Sequence, residues 1–160
     1  MPLIKEGRLI ADPWRAIGAD EALPERGPIL LPLERFLAEE AALAGRGPLG
    51  IALANDQKPE TLAGRLDGVA LVALHFPKFN DGRAYSQARI LRERLGYGGE
   101  LRARGRVLRD QLLFMLRCGF DSFELAAGET AESFAEAMRE YSRFYQPAAD
   151  SRPAGLRRWG

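Results

Sequence analysis

The residues best equipped for chemistry stand together between positions 75 and 86, in the run HFPKFNDGRAYS. His75 is the single histidine of the chain, and its side chain ordinarily titrates near neutrality, so it is the candidate acid or base. Lys78 and Arg83 offer positive charge to an anion, while Asn80, Tyr85 and Ser86 offer neutral hydrogen bonds. Asp81 either joins that set or caps the following helix. Arg106, Arg109 and Asp110 form a second group of the same character, with Asn55, Asp56, Lys58, Gln111, Glu129 and Thr130 as outlying polar residues. Cations for charge, neutral donors for orientation and a histidine for the proton suit a small anionic substrate. A structural reading stays open beside it. Pro77 and Asp81-Gly82 are ordinary turn chemistry, Phe76 and Phe79 can simply pack, and His75 can be a hydrogen-bonded core residue.

Other chemistries find little footing. One cysteine, Cys118, excludes an internal disulfide and a cysteine-rich iron–sulfur or zinc site within the chain, and a lone histidine excludes a multi-histidine metal site. Cys118 falls near the end of an apolar helix, where a buried, inert thiol is expected. Gly45-Arg46-Gly47-Pro48-Leu49-Gly50 matches GxGxxG, but it follows a helix and opens a strand, the reverse of a dinucleotide fingerprint, and Pro48 removes an amide. It reads as a helix-to-strand loop. No P-loop, flavin, nicotinamide or iron–sulfur motif is evident, and no serine sits in a nucleophile elbow. Basic residues interleaved with aromatics are too sparse to argue for nucleic acid.

The elements that must position these residues are legible in the apolar pattern. LIKEGRLI, residues 3–10, reads as a small N-terminal hairpin turning at Glu6-Gly7, and Trp14 is expected to cover one side of the core. Five strands are predicted at 29–33, 50–54, 69–76, 100–105 and 122–126, each leading into a helix. Val69–Phe76 is apolar at consecutive positions, as a parallel strand covered on both faces should be. Residues 100–105 alternate instead, Leu101 and Ala103 against Arg102 and Arg104. Helices are predicted over 34–43, 60–66, 83–95, around Leu112–Leu116, and from Thr130 onward. Ala84, Ala88, Leu91 and Leu95 make one stripe, and Phe134, Met138, Tyr141 and Tyr145 another. Asp81 and Thr130 are the expected caps, and Gly96 and Gly119 the expected stops. Alternating strands and helices imply an α/β fold: one domain of successive βα units on a mostly parallel sheet, either open and doubly wound or partial-barrel-like. The segment 75–86 then leaves the carboxyl end of a central strand, where ligands of such sheets bind.

The 160 residues suffice for a single domain burying roughly two-thirds of its unfolded surface, expected over 1–145, with a flexible Pro-, Ala- and Arg-rich tail over 146–160. Trp159 in that tail is either an idle terminal residue or a docking anchor. The longest apolar run, Val69 to Leu74, is far short of the roughly 20 residues a membrane helix needs. The N-terminus lacks the apolar core of a secretory signal, so a cytoplasmic location with no membrane association is expected. Net charge is +1, but residues 82–120 hold nine arginines against three acids, and 121–140 hold six acids against one arginine. The basic stretch either attracts an anion or acidic protein or pairs with the acidic one.

The run FPKFNDGRAYSQARILRERLGYGGELRARGRVLRDQLLFMLRCGFDSFEL, with FPKFNDGRAYSQAR, LRDQ and RCGFD its most specific parts, resembles the bacterial domain-of-unknown-function family 934. The resemblance is dense from Phe76 to Leu125 and extends more loosely to GRLIADPW near the N-terminus. Members of that family are described as oxidoreductases involved in sulfite reduction, because their genes lie beside those for assimilatory sulfite reductase. The resemblance implies a pathway, sulfur assimilation, and a partner, the sulfite reductase haemoprotein. It carries over no catalytic residue.

Overall fold

The computed structural model describes residues 2–78, 80–126 and 129–144. The proposed tail at 146–160, Trp159, Tyr145 and Phe79 lie outside the described residues.

β1 (Leu3–Lys5) and β2 (Arg8–Ile10) form the expected hairpin, turning at Glu6 and Gly7, both at positive φ. A two-residue strand absent from the sequence reading, β3 (Arg15–Ala16), follows. The repeating part runs β4 (Ile29–Pro32), α1 (Leu33–Leu43), β5 (Leu49–Leu53), a 3-10 turn at Pro59–Leu62, β6 (Val69–Phe76) and α2 (Arg83–Arg89), which continues into a π turn at Ile90–Arg94. Then come β7 (Glu100–Gly105), a 3-10 turn at Arg109–Gln111, α3 (Leu112–Arg117), β8 (Ser122–Glu124) and α4 (Ala131–Phe144).

Three local expectations are corrected. The helix expected at 60–66 is a single 3-10 turn, and the last strand ends at Glu124 rather than Ala126. The N-cap of α2 is Gly82, not Asp81, although an Asp81 carboxylate oxygen accepts the Arg83 backbone N–H at 3.2 Å. Thr130 behaves as expected, its hydroxyl accepting the Ser133 N–H at 3.4 Å, and Phe134, Met138 and Tyr141 are buried along α4.

All eight strands join one mixed sheet in the order β2-β1-β8-β7-β6-β5-β4-β3. β3 to β8 are mutually parallel and in sequence order, while β1 pairs antiparallel with β8 and with β2. Sequential neighbours with right-handed crossovers place every connecting helix on the same face. That single winding removes the doubly wound alternative. On the helix side, Leu31, Ile51, Val72, Leu74, Phe76, Leu101, Ala103 and Phe123 share one core with Phe36, Leu43, Leu62, Ala88, Leu91, Met115 and Phe134.

The other face is concave, for a reason that chain length alone supplies. Eight flat strands at their normal spacing would hold β2 and β3 roughly 33 Å apart. Only Ala11–Trp14 lies between them, and five Cα–Cα links reach at most about 18 Å. The sheet therefore curls into a half-barrel, and residues 11–14 form a strap across its opening.

Candidate functional site

Strand alternation sorts two kinds of residue onto the concave face. Toward β4–β6 it is apolar: Leu30, Leu71 and Ala73 pack with Ala52 under the Trp14 indole. A side chain at Gly50 would collide there, since its Cβ would stand 3.1 Å from the indole and 3.0 Å from Leu30. Gly50, the last glycine of the GxGxxG run, thus makes room for a tryptophan rather than a pyrophosphate.

Toward β7, β8 and β1 the same face is ionic. Arg102, only 1% exposed, donates from Nη1 to Asp12 of the strap at 2.8 Å, and its guanidinium lies 3.3 Å from Glu100 and 3.5 Å from Glu124. Glu100 also accepts from Lys5 Nζ and from the Ser122 hydroxyl, both at 2.6 Å. Burial pushes the Glu100 carboxyl up, but the Lys5 and Ser122 hydrogen bonds, with the charges of Lys5 and Arg102, outweigh it and hold the carboxyl below its usual range. Arg104 continues the row toward the carboxyl end of β7, its Nε 3.6 Å from Glu124.

His75 stands beside Arg104, its register partner on the neighbouring strand, and is exposed at the mouth rather than packed in the core. Its proton affinity is lowered, first by burial and then by the Arg104 charge, with Glu124 opposing. The imidazole leans over Gly105, which has φ +92; a Cβ there would come within 2.8 Å of Cε1 and 2.9 Å of Nδ1 and would meet the Phe76 carbonyl. Glycine serves both the backbone conformation and the space for the ring.

The other expected site residues are distributed around the carboxyl rim. Asn55, Asp81 and Arg83 come together: Asp81 accepts from Asn55 Nδ2 at 2.6 Å and from Arg83 Nη2 at 2.7 Å and Nε at 3.0 Å. The Arg83 hydrogen bonds hold the Asp81 carboxyl down to about 2, so Arg83 spends its charge locally. Tyr85 turns inward, its ring 5.0 Å from Phe76 and 4.6 Å from Phe114, and burial pushes its hydroxyl up to about 12. Lys78 and Asn80 are exposed in the loop after β6, while Arg106, Arg109 and Asp110 are exposed after β7. No described hydrogen bond or ion pair joins those five side chains to His75 or to the Asp81 cluster. Cys118 is buried beside α3, and burial raises its thiol.

Arg102, Arg104, Glu100, Glu124 and Asp12 escaped the sequence reading as a group. Their signal was the alternation over 100–105, which marks two faces but does not say that the polar one lines a barrel interior. The RCGFD run proves largely architectural. Asp121 accepts from Arg92 Nη2 at 2.6 Å and from the Leu101 N–H at 2.9 Å, and a Cβ on Gly119 would stand 2.7 Å from Arg92 Cγ.

Among the described residues no helix is long and apolar enough to cross a membrane, and no cluster of three or more potential metal ligands occurs. A comparison with curated proteins finds no match. The family described as bacterial protein of unknown function (DUF934) matches residues 50–155, which take in both His75 and the Arg102–Arg104 row, and the chain belongs to that family.

Proposed function

We propose that the protein is an accessory component of assimilatory sulfite reduction, acting in the cytoplasm with the sulfite reductase haemoprotein as a docking partner or electron-delivery component. The pathway comes from the family resemblance. The partner role is carried by one observation: Leu113 and Phe114 of α3 stand 42% and 46% exposed beside the rim. Phe114 packs on Tyr85, and the Arg89 guanidinium lies 5.9 Å over its ring. Apolar and aromatic residues with arginine at the edge are the composition of interface hot spots. Arg109, also exposed, suits this patch to an apolar partner surface rimmed with carboxylates. Sulfite reduction consumes six electrons, and an oxidoreductase role in this chain would require a cofactor site without a sequence motif. Docking requires only the patch.

The test is genetic and then biochemical. A strain lacking the gene should fail to grow on sulfate and on sulfite and recover on sulfide; normal growth on all three without a paralogue would end the assignment. In the full chain, Leu113→Glu with Phe114→Ser should weaken capture of the haemoprotein about tenfold or more. The protein should still unfold cooperatively with only a modest drop in melting temperature, from the lost Phe114–Tyr85 contact, because neither side chain belongs to the buried core.

A further inference from the structure

Among the described residues, the ionic network on the concave face joins three cations, Lys5, Arg102 and Arg104, to three carboxylates, Asp12, Glu100 and Glu124. Most of that charge is spent internally. Lys5 is committed to Glu100, and Arg102 is buried among Asp12, Glu100 and Glu124. Arg104 differs. It is 32% exposed, its nearest carboxylate oxygen is 3.6 Å from Nε, and no hydrogen bond joins its guanidinium to another described residue. His75, next to it on β6, likewise makes no hydrogen bond to a described residue, yet Gly105 keeps a space for its ring. On the same face of β7, two residues before Arg104, Arg102 has a buried Nε–H with no acceptor among the described residues, an uncommon condition for so costly a group.

The half-barrel directs these groups to one place. The strap and Trp14 cover the apolar part of the concave face, and toward its carboxyl end the lining thins to short residues, Ala52 at the margin of the Trp14 cluster and Pro32, both only half-buried. Curled parallel sheets present their ligands at that end. An arginine fork recognises a carboxylate-like pair of oxygens, and a neutral imidazole supplies one donor and one acceptor beside it. Glu124, within ionic reach of both Arg102 and Arg104, opposes a second negative charge.

The geometry points to a binding site for a small, singly charged oxyanion at the carboxyl mouth of the half-barrel, held by the Arg104 guanidinium and the His75 imidazole. The site is independent of the α3 patch and of the pathway proposed above. The charged groups acting on the His75 ring are Arg104 of β7 and Glu124 of β8. An anion seated on Arg104 offsets the charge that now disfavours ring protonation, so binding raises the proton affinity of His75.

Because His75 is the only histidine, its Cε1–H resonance is unique and reports the site directly. The full chain, free of any added histidine, is titrated with sodium formate and with sodium hydrogencarbonate at ionic strength held constant with sodium chloride. A saturable shift is expected, with an upward move in the ring's titration midpoint at saturation. Arg104→Gln should weaken binding about tenfold or more. Arg104→Lys, which keeps the charge toward Glu124 but loses the fork, should weaken it several-fold, while Arg65→Gln in the loop before β6 should leave it unchanged. A shift that never saturates, or that is equal in wild type and both Arg104 variants, would overturn the site. Tighter binding of sulfate than of formate would overturn its preference for a single charge.

Discussion

Two arginines show how differently one residue type is used. Arg92 is a staple: it donates to the carbonyls of Tyr97, Gly99 and Gly119 and to the Asp121 carboxylate, with both partners of the ion pair largely buried. Breaking a buried pair leaves a charge without its counterpart, which costs far more than loss of a surface pair. Asp121→Asn should therefore lower stability by about 3 kcal/mol in urea denaturation, although Asn can still accept from Leu101. A change below about 1 kcal/mol would mean the pair behaves like a surface one. Arg104, by contrast, is partly exposed and makes one long ion pair, and its charge adds to burial in lowering the proton affinity of its neighbour. The folded His75 binds a proton less readily than its ordinary value of 6.5. Stability from the neutral ring is thus complete above that unfolded value and is lost as pH falls through the lower folded one. Thermal melts of wild type and His75→Gln between about pH 8 and about pH 5 should show the wild type losing ground toward acid. A constant difference would mean the ring feels neither burial nor Arg104.

Among the elements, the strap Ala11–Trp14 has consequences out of proportion to its length. It joins opposite edges of the sheet, sets Asp12 on Arg102, and lays Trp14 over Leu30, Leu71 and Ala73. Trp14→Ala should destabilise by about 2–3 kcal/mol, less than for a wholly enclosed tryptophan because the indole is only half-buried. Gly50→Val should cost about 1–3 kcal/mol by overpacking the same contact, read from the same denaturation curves. If the Gly50 substitution is neutral, the indole does not occupy the trough. α2 and the π turn after it serve another end. Gln87 donates to the carbonyls of Ala54 and Gln57, tying the loop after β5 to the rim, while Arg92 in the π turn reaches the opposite edge.

At the scale of the molecule, a single-wound sheet gives each strand one role on its convex side and another on its concave side. The interior strands β6 and β7 are paired on both edges and carry wholly buried residues such as Leu71, Val72 and Leu101. β3 is a two-residue edge strand with exposed side chains. Hydrogen exchange should follow that gradient, slowest over Leu71–Leu74 and Leu101–Ala103 and fastest at Arg15–Ala16. Equal protection across the sheet would show that the half-barrel opens only as a unit.

Most of the elements were legible in the sequence, although β3 was not and the segment expected as a helix at 60–66 is a 3-10 turn. The apolar run Val69–Phe76 marked a largely covered strand, the stripe Ala84, Ala88 and Leu91 marked a core-facing side, and Glu6-Gly7 marked the hairpin turn. These are short-range consequences of periodicity and backbone geometry. The sequence also drew attention to His75 and to the carboxyl rim. Which of those candidates share a surface emerges only once the strands have paired. Arg83 is occupied by Asp81 two residues away, whereas the neighbours of His75 on the concave face, Arg104 and Glu124, come from strands 29 and 49 positions later. The sequence marked Arg102 and Arg104 as one polar face but could not distinguish a solvated face from a barrel interior. That distinction depends on β2 and β3 lying at opposite ends of the sheet although only residues 11–14 join them, and the strand order that puts them there rests on pairings between segments far apart in the chain rather than on any local pattern.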